Sequence, residues 1–425
     1  MLILALVFAL ILVLMRWVSL GSALMAGAVV LGLAAGLSPF ELVSAMALAL
    51  VAPDTLLISA VVFLIMVLSH FMEKSGHMAR LLTAFRGISR NAKANLILFP
   101  VLIGLLPMPG GAVFSAPLVE ATARQQNLTE PDKALVNYWF RHIWEFSWPL
   151  YPGILLASKL SGISLARLAP AMLPLTIIAL LAGYRVLLPG VSGSVEEGEN
   201  AGKGGWKPFL WEFLPIAVVI AGFAVLEIAA RALSGAFPAL GRLPSEVPLV
   251  MALAASIAWT AVADRVGREL FKEVFTQKAL WVMVYMIVAI MVFSAVLEKS
   301  GTVASISADL VRYRVPVALA AIILPFIVGL VTGITVAFVG TAFPVVLGLA
   351  AASGPGANLL PLVALAFCAG YTGVLITPVH ACLALTLAYF HSGFSSVWRK
   401  LFALCATVFT AGLVLSLLYY LLLRL

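Results

Sequence analysis

The chain has 425 residues, of which 63% are hydrophobic and 10% charged, and its mean hydropathy of +1.13 excludes a soluble globular protein. A net charge of +8 in a membrane protein indicates Lys and Arg on cytoplasmic loops, so no nucleic-acid partner is predicted and the lipid bilayer is the expected surrounding. The three cysteines lie in apolar segments without metal-ligand spacing, and we expect them to be packing residues: Cys368, Cys382 and Cys405.

Apolar runs long enough to cross a bilayer recur from end to end. Full spans are predicted at 2–18, 20–37, 55–72, 137–160, 168–188, 208–233, 246–265, 278–298, 359–390 and 400–423. The first is expected to be a retained helix and not a cleaved signal peptide, because no basic residue precedes it. The segment 40–52 is too short to be predicted as a span.

An amphipathic arm follows the third span. At helical spacing, apolar residues alternate with basic ones: Met78, Leu81, Leu82, Phe85 and Ile88 with Arg80, Arg86 and Arg90. This pattern predicts a helix that lies at the cytoplasmic interface. The segment 302–314 is a weaker second arm, and the acidic, Gly-rich stretch 192–205 is predicted to be a linker.

Two further apolar segments, 94–122 and 316–352, are interrupted at their centres by Pro107–Gly111 and Thr332–Thr335. A straight helix does not tolerate Pro-x-Pro-Gly-Gly in its middle. We therefore predict two re-entrant helical hairpins whose tips are buried in protein or line a cavity.

The chain contains an internal repeat with a constant spacing of 225 residues. The first copy has Ser69, Glu73-Lys74-Ser75-Gly76, Pro100, Gly104-Leu105 and Ala112, and the second has Ser294, Glu298-Lys299-Ser300-Gly301, Pro325, Gly329-Leu330 and Ala337. With two hairpins, each half keeps five spans. An odd number inverts the second half, and the positive-inside rule then places both termini outside.

The span after each hairpin is also interrupted, at Ser147–Gly153 and at Tyr371–Pro378. Half-helix N-termini attract anions, and unwound carbonyls coordinate cations, so four paired interruptions predict a transporter binding site. Single prolines that merely kink helices are the alternative. The predicted substrate-binding residues are Pro109, Gly110, Gly111, Ser115, Arg141, Ser147, Tyr151, Thr332, Gly333, Thr335, Thr372, Thr377 and His380.

The densest polar cluster is Arg141-His142-Ile143-Trp144-Glu145. Ionisable residues inside a membrane span are functional candidates, so we assign Arg141 to a substrate carboxylate and His142 or Glu145 to ion or proton coupling. Alternatively, Arg141 and Glu145 at i and i+4 simply neutralise each other. His380 is either a substrate donor or protonation site, or a packed neutral histidine.

A metal site is not predicted, although His70, Glu73 and His77 share one helical face at i, i+3 and i+7. A fourth ligand is not evident, and neither histidine recurs in the second copy. Signatures of hydrolases and nucleotide-binding enzymes are also missing from the sequence, so the protein is not predicted to be an enzyme.

Two halves with scaffold helices, an arm, a hairpin and a broken helix resemble the ion transporter superfamily of secondary carriers. Within it, Glu-Lys-Ser-Gly, Leu-Pro-Met-Pro-Gly-Gly-Ala and Trp-Pro-Leu-Tyr-Pro-Gly most resemble predicted permeases called domain of unknown function 401. The resemblance implies an all-α polytopic fold of two inverted repeats, each with three scaffold helices, a hairpin and two further helices, one of them broken.

The resemblance also implies an elevator mechanism and a homodimer formed through the scaffold. The implied division is 1–93 and 208–315 as scaffold and arms, 94–190 and 316–425 as transport domain, and 191–207 as linker. Sodium-coupled members carry Ser-Asn-Thr at the hairpin tips, whereas this chain does not. H+ and Na+ are therefore equal candidates for the coupling ion, and no other cofactor is predicted.

The predicted function is secondary transport of a small organic anion across the cytoplasmic membrane. Cation/proton antiport and inorganic-anion transport are alternatives, and a membrane enzyme or a lipid-handling protein is more remote.

Overall fold

The computed structural model describes residues 2–86, 88–108, 111–124, 126–193, 205–302, 316–352 and 358–423. Regular structure in these ranges is helical, as predicted. The α-helices are α1 (Leu2–Leu14), α2 (Leu20–Ala34), α3 (Pro39–Val51), α4 (Pro53–Lys74), α5 (His77–Arg86), α6 (Ala92–Ile103), α7 (Ala112–Ala123), α8 (Glu130–His142), α9 (Pro152–Ser161), α10 (Leu165–Leu187), α11 (Trp206–Leu233), α12 (Glu246–Ala263), α13 (Arg268–Thr276), α14 (Lys278–Lys299), α15 (Val317–Thr332), α16 (Thr335–Ala352), α17 (Leu360–Ile376), α18 (Ala381–Tyr389) and α19 (Phe394–Leu422). Short 3-10 helices cover Ile143–Phe146 and Leu240–Arg242.

Some predicted features lie outside the described residues. They are Pro109 and Gly110 in the first tip, most of the linker, and the second arm beyond Thr302.

Within the described ranges, seven segments are long and apolar enough to cross a membrane, so the chain is a multi-pass membrane protein. They are α4, α10, α11, α12, α14, the interrupted pair α17–α18, and α19. The predicted spans 2–18 and 20–37 are too long, because the structure has helices of 13 and 15 residues there. At 1.5 Å per residue such helices extend only about 20 Å. The side chain of Ser19 caps α2 and separates it from α1.

The sequence repeat reappears in the helix boundaries. Helices α4 and α14 have 22 residues each and begin at positions 53 and 278, which are 225 apart. The repeated glycines Gly76 and Gly301 follow their ends with φ of +76° and +64°. Glycine adopts this left-handed conformation without a Cβ clash, which explains why Glu-Lys-Ser-Gly occurs at both helix ends.

Because of this turn, the three residues considered as metal ligands do not share one helix face. Since α4 ends at Lys74 and α5 begins at His77, His70 and His77 lie on different helices.

Each interrupted segment forms two helices joined at a tip, α6 with α7 and α15 with α16, and the two helices of each pair pack together. Helices α6 and α7 have 12 residues each. At about 18 Å they are too short to cross a hydrocarbon core of about 30 Å. The predicted interruption is present, since α6 ends at Ile103 and α7 begins at Ala112.

A repeated glycine lets each hairpin approach the helix that follows it. A Cβ on Gly104 would lie far inside van der Waals contact with the carbonyl oxygen of Arg141, and one on Gly329 would meet the carbonyl of Gly370 in the same way. Both atoms belong to backbone, which cannot move aside. The recurrence of this glycine in both copies of the repeat thus reflects a backbone-to-backbone crossing in each half.

Aromatic donors from the first broken segment hold α6. Trp144 Nε1 donates to the Val101 carbonyl in the last turn of α6 at 3.1 Å. Just after the helix, Trp148 Nε1 donates to the Leu105 carbonyl at 2.9 Å and Tyr151 Oη to the Gly104 carbonyl at 2.7 Å. Buried carbonyls need such partners, so the aromatic residues fix the first hairpin to the break.

The helix predicted for the amphipathic arm is present as α5, which ends at Arg86 and buries its apolar face, whereas its location at the cytoplasmic interface stays a prediction. Its polar side binds the other half of the chain. His77 Nδ1 lies 2.9 Å from Asp264 Oδ2, Arg80 Nε donates to Glu212 Oε1 at 3.0 Å, and Arg80 also pairs with Asp264. Burial lowers the pKa of Arg80, but hydrogen bonds and charges of Glu212 and Asp264 raise it more, so the pKa is raised overall.

Substitution Asp264→Asn is expected to destabilise the attachment of the arm. Asp264 has a side chain only 6% exposed and contacts both Arg80 and His77. Loss of its charge should lower stability by about 2 kcal/mol, somewhat less than a fully buried pair because Arg80 is partly exposed. Thermal unfolding in detergent measures this, with Glu269→Gln, from the exposed pair with Lys272, as the matched control. Equal melting temperatures for the two variants would contradict the prediction.

Candidate functional site

The structure brings the four interruptions together. Met108 and Gly111 come from the first tip, Gly333 and Thr335 from the second. The first break contributes Arg141, His142 and Glu145, and the second contributes His380 and Cys382. The following contacts join them into one buried cluster, called here the central cluster.

Arg141 lies at the end of α8 and is 3% exposed. Its Nη2 donates to the Met108 carbonyl at 2.8 Å, and its Nη1 donates to Cys382 Sγ at 3.2 Å. Among the described residues, Nε has no hydrogen-bond partner. A buried guanidinium with an unused donor can bind an acceptor such as a carboxylate oxygen.

The absence of a side chain at Gly111 allows the Arg141 guanidinium to pack against the first tip. A Cβ there would lie 2.6 Å from Arg141 Nη2 and 3.1 Å from Nε. The Nε–Nη2 edge, which is the edge that binds a carboxylate in bidentate fashion, therefore faces hairpin backbone that carries no side chain.

The side chain of Glu145 contacts the second hairpin. Thr335 Oγ1 donates to Glu145 Oε2 at 2.8 Å, across 190 positions of sequence. Among the described residues no Arg141–Glu145 ion pair lies within 4.0 Å, because α8 ends at His142 and a 3-10 helix changes the side-chain direction. Simple neutralisation at i and i+4, the alternative considered for this pair, is therefore not what the geometry shows.

His142 and His380 meet between the two halves. Their Nε2 atoms are 3.1 Å apart. His142 Nδ1 donates to the Tyr138 carbonyl at 2.6 Å, and His380 Nδ1 donates to the Gly333 carbonyl at 2.7 Å. His380 therefore belongs to the central cluster, and its role in binding or protonation stays a prediction.

Cys382 is more than the packing residue that the sequence suggested, since its Sγ accepts from Arg141. Histidine and cysteine are residue types that bind transition metals. However, Arg141 Nη1 lies 3.2 Å from Cys382 Sγ and 3.5 Å from His142 Nε2, and this fixed positive charge opposes a metal cation.

Other predicted site residues are used mainly in local structure. Ser147 Oγ bonds Thr176 Oγ1 at 2.8 Å, and Thr372 Oγ1 donates to the Cys368 carbonyl of its own helix. Thr332 Oγ1 caps the second tip by accepting from Ile334 N, and Thr377 Oγ1 accepts from Val379 N in the second break. Ser115 Oγ lies 3.5 Å from the Ala112 carbonyl, and Tyr151 holds Gly104 as described. Their role in binding stays a prediction.

Asn137 was missed by the sequence reasoning. It is completely buried one turn before Arg141, and its Nδ2 donates to the Ala112 carbonyl at 2.9 Å. Its Oδ1 has no partner among the described residues. The available signal was its i, i+4 spacing from Arg141 in a predicted span, which puts both on one helix face.

A cavity of about 230 Å³ lies between the arm and the first hairpin. Glu73 and Arg86 line it together with apolar residues, among them Met78 and Phe114. Met108 also lines it, and the Met108 carbonyl binds Arg141. The cavity is therefore separated from the central cluster by the first tip.

Comparison with known proteins gives one family and one fold. A family model described as "Protein of unknown function (DUF401)" matches residues 1–422. No curated protein matches the chain. Among solved structures, the chain is similar to the YdaH transporter of Alcanivorax borkumensis, with a TM-score of 0.62 and 14% identity over 84% of each chain. At that identity the similarity establishes a shared fold.

Proposed function

The chain belongs to the DUF401 family, and we propose that it is a secondary transporter and not an enzyme, which moves a small organic anion of the carboxylate type across the cytoplasmic membrane with H+ or Na+. The observation that carries this proposal is Arg141, a buried arginine at the meeting point of four helix interruptions whose Nε has no partner among the residues that the structure describes. Enclosed charged groups of this kind in a transporter fold form substrate sites.

The unpartnered atoms suit a carboxylate that also carries a donor. Within the described ranges Arg141 Nε has no acceptor, and Asn137 Oδ1, one helical turn away, has no donor. A hydroxycarboxylate offers both groups, whereas a plain fatty acid leaves Asn137 unsatisfied. The narrow, buried cluster also favours a small substrate.

The proposed motion is an elevator. The short hairpins and broken helices would move as a transport domain, relative to a scaffold of α1–α4 and α11–α14 that forms a homodimer. Two inverted repeats with both termini outside complete this arrangement. The cavity beside the first tip would be the route of entry, because Met108 lines it and also accepts a hydrogen bond from Arg141.

A ligand screen tests the proposal. Acetate, lactate, succinate and citrate are added to the purified protein at pH 6 and pH 8, with and without sodium, and thermal unfolding is followed. A ligand at 100 times its Kd should stabilise the folded state by about 2.7 kcal/mol. We expect lactate or citrate to stabilise more than acetate. Absence of any shift, together with proton or sodium flux at full rate without solute, would favour the cation/proton antiporter instead.

A further inference from the structure

The two central histidines have a protonation state that their backbone partners dictate. A carbonyl oxygen can only accept, so Nδ1 of His142 and Nδ1 of His380 must each carry hydrogen to bond Tyr138 and Gly333. In a neutral imidazole the other nitrogen is then a bare lone pair. Two neutral rings would consequently bring two lone pairs face to face at 3.1 Å, and the Arg141 Nη1 donor, 3.5 Å from His142 Nε2, could serve only one of them.

We propose that His142 and His380 share one proton between their Nε2 atoms and that this proton is the coupling ion of transport. The proton adds to the lone pair of one Nε2, and the resulting N–H donates to the lone pair of the other. A separation of 3.1 Å is normal for such a hydrogen bond and leaves no room for a water molecule between the rings. The role of this proton as coupling ion rests on the proposed function, whereas its sharing between the two histidines does not.

The surrounding charges couple this proton to an anion. Arg141 and Glu145 contribute opposite charges next to the pair, with Arg141 Nη1 3.5 Å and Glu145 Oε1 4.0 Å from His142 Nε2. Ionisable groups close to the pair also include Tyr138 and Tyr371, whose hydroxyls donate to the carbonyls of Leu375 and His142, and Cys382. With these three neutral, the cluster has no net charge without the proton and a charge of +1 with it. A monocarboxylate therefore binds best together with the proton.

The position of the pair also suits alternating exposure. His142 belongs to the first half and His380 to the second, 238 positions away. His380 is anchored to the second hairpin tip through Gly333, so a movement of that tip within the transport domain would shift His380 relative to His142. Separation of the rings would release the proton, because neither ring alone keeps the shared hydrogen bond.

Solid-state NMR of protein labelled with 15N-histidine, in lipid bilayers between pH 5.5 and 8.5, tests the shared proton. The chain has only five histidines. The expected result is N–N coupling between two Nε2 atoms, with both Nδ1 protonated, and loss of this signal in His380→Gln. His391→Asn is the matched control, since His391 is exposed at a φ of +48° that Asn accepts. Two unprotonated Nε2 atoms throughout the pH range would overturn the proposal, as would a signal that vanishes on treatment with EDTA.

Proteoliposomes with an imposed pH gradient test the coupling, with radiolabelled lactate and citrate as probes. His142→Gln is expected to lower gradient-driven accumulation at least tenfold relative to exchange at equal pH. Equal ratios in the variant and the wild type would overturn the coupling role. A wild type that binds and moves none of the carboxylates would refute the proposed function alone, because the NMR result on the proton is independent of substrate. Melting temperatures establish that both histidine variants are folded.

Discussion

Replacement of Arg141 by Ala is expected to abolish carboxylate uptake in proteoliposomes while most of the protein remains folded. The guanidinium supplies the only unpartnered charged donor that the described part of the central cluster contains. A charge-assisted hydrogen bond contributes about 1.5–3 kcal/mol, so the loss of a bidentate pair should lower the uptake rate by about 100-fold or more. The measurement is initial uptake of the carboxylate that stabilises the protein most.

Two further variants make this result specific. Arg141→Lys keeps the charge but not the planar fork, and it should restore only a small part of the uptake. Arg185→Ala removes an exposed arginine from α10 and should leave uptake unchanged. Normal uptake in Arg141→Ala would remove Arg141 from the substrate site. Since this variant leaves Glu145 without a nearby cation, size-exclusion profiles and melting temperatures accompany the assay.

Gly104→Ala and Gly329→Ala are each expected to destabilise the protein severely. The added methyl group would collide with the carbonyl of Arg141 in one half and of Gly370 in the other. Because neither backbone can yield without moving a whole helix, we expect a loss of about 3 kcal/mol or more for each variant. Thermal unfolding and the yield of monodisperse protein in detergent measure the effect.

Gly190→Ala is the matched control, because a Cβ at Gly190 meets no atom within 4 Å. A similarly small effect of all three substitutions would show that the two hairpins do not cross their neighbouring helices so closely. An effect at Gly104 but not at Gly329 would show that only the first crossing is tight.

The internal repeat was the part of the fold most open to prediction. Glu-Lys-Ser-Gly recurs because both long helices α4 and α14 end in a left-handed glycine, and such local requirements are visible in residue identity. The hairpin interruptions were equally visible through Pro107 and Gly333. The lengths of α1 and α2 were not, because uninterrupted apolar residues do not indicate where a helix stops.

The central cluster was predicted unevenly. Arg141 and Glu145 stand out as charges in apolar segments, so their location was evident. The partners of these residues were not. Cys382 looks like any small apolar residue, and the Thr335–Glu145 bond joins positions 190 apart. Secondary structure also changed the expected pairing, since a 3-10 helix replaces the α-helix between Arg141 and Glu145.

The sequence by itself determined that this is a membrane protein, that it contains two copies of one helical pattern, and where each copy is interrupted. These properties depend on composition and on short-range backbone preferences, which every residue carries with it. Only the tertiary structure decided that Arg141 faces the first tip, that Glu145 faces the second, and that His142 meets His380. Those contacts depend on how distant helices cross, and hydrogen bonds between side chains and carbonyls leave no periodic trace along the chain.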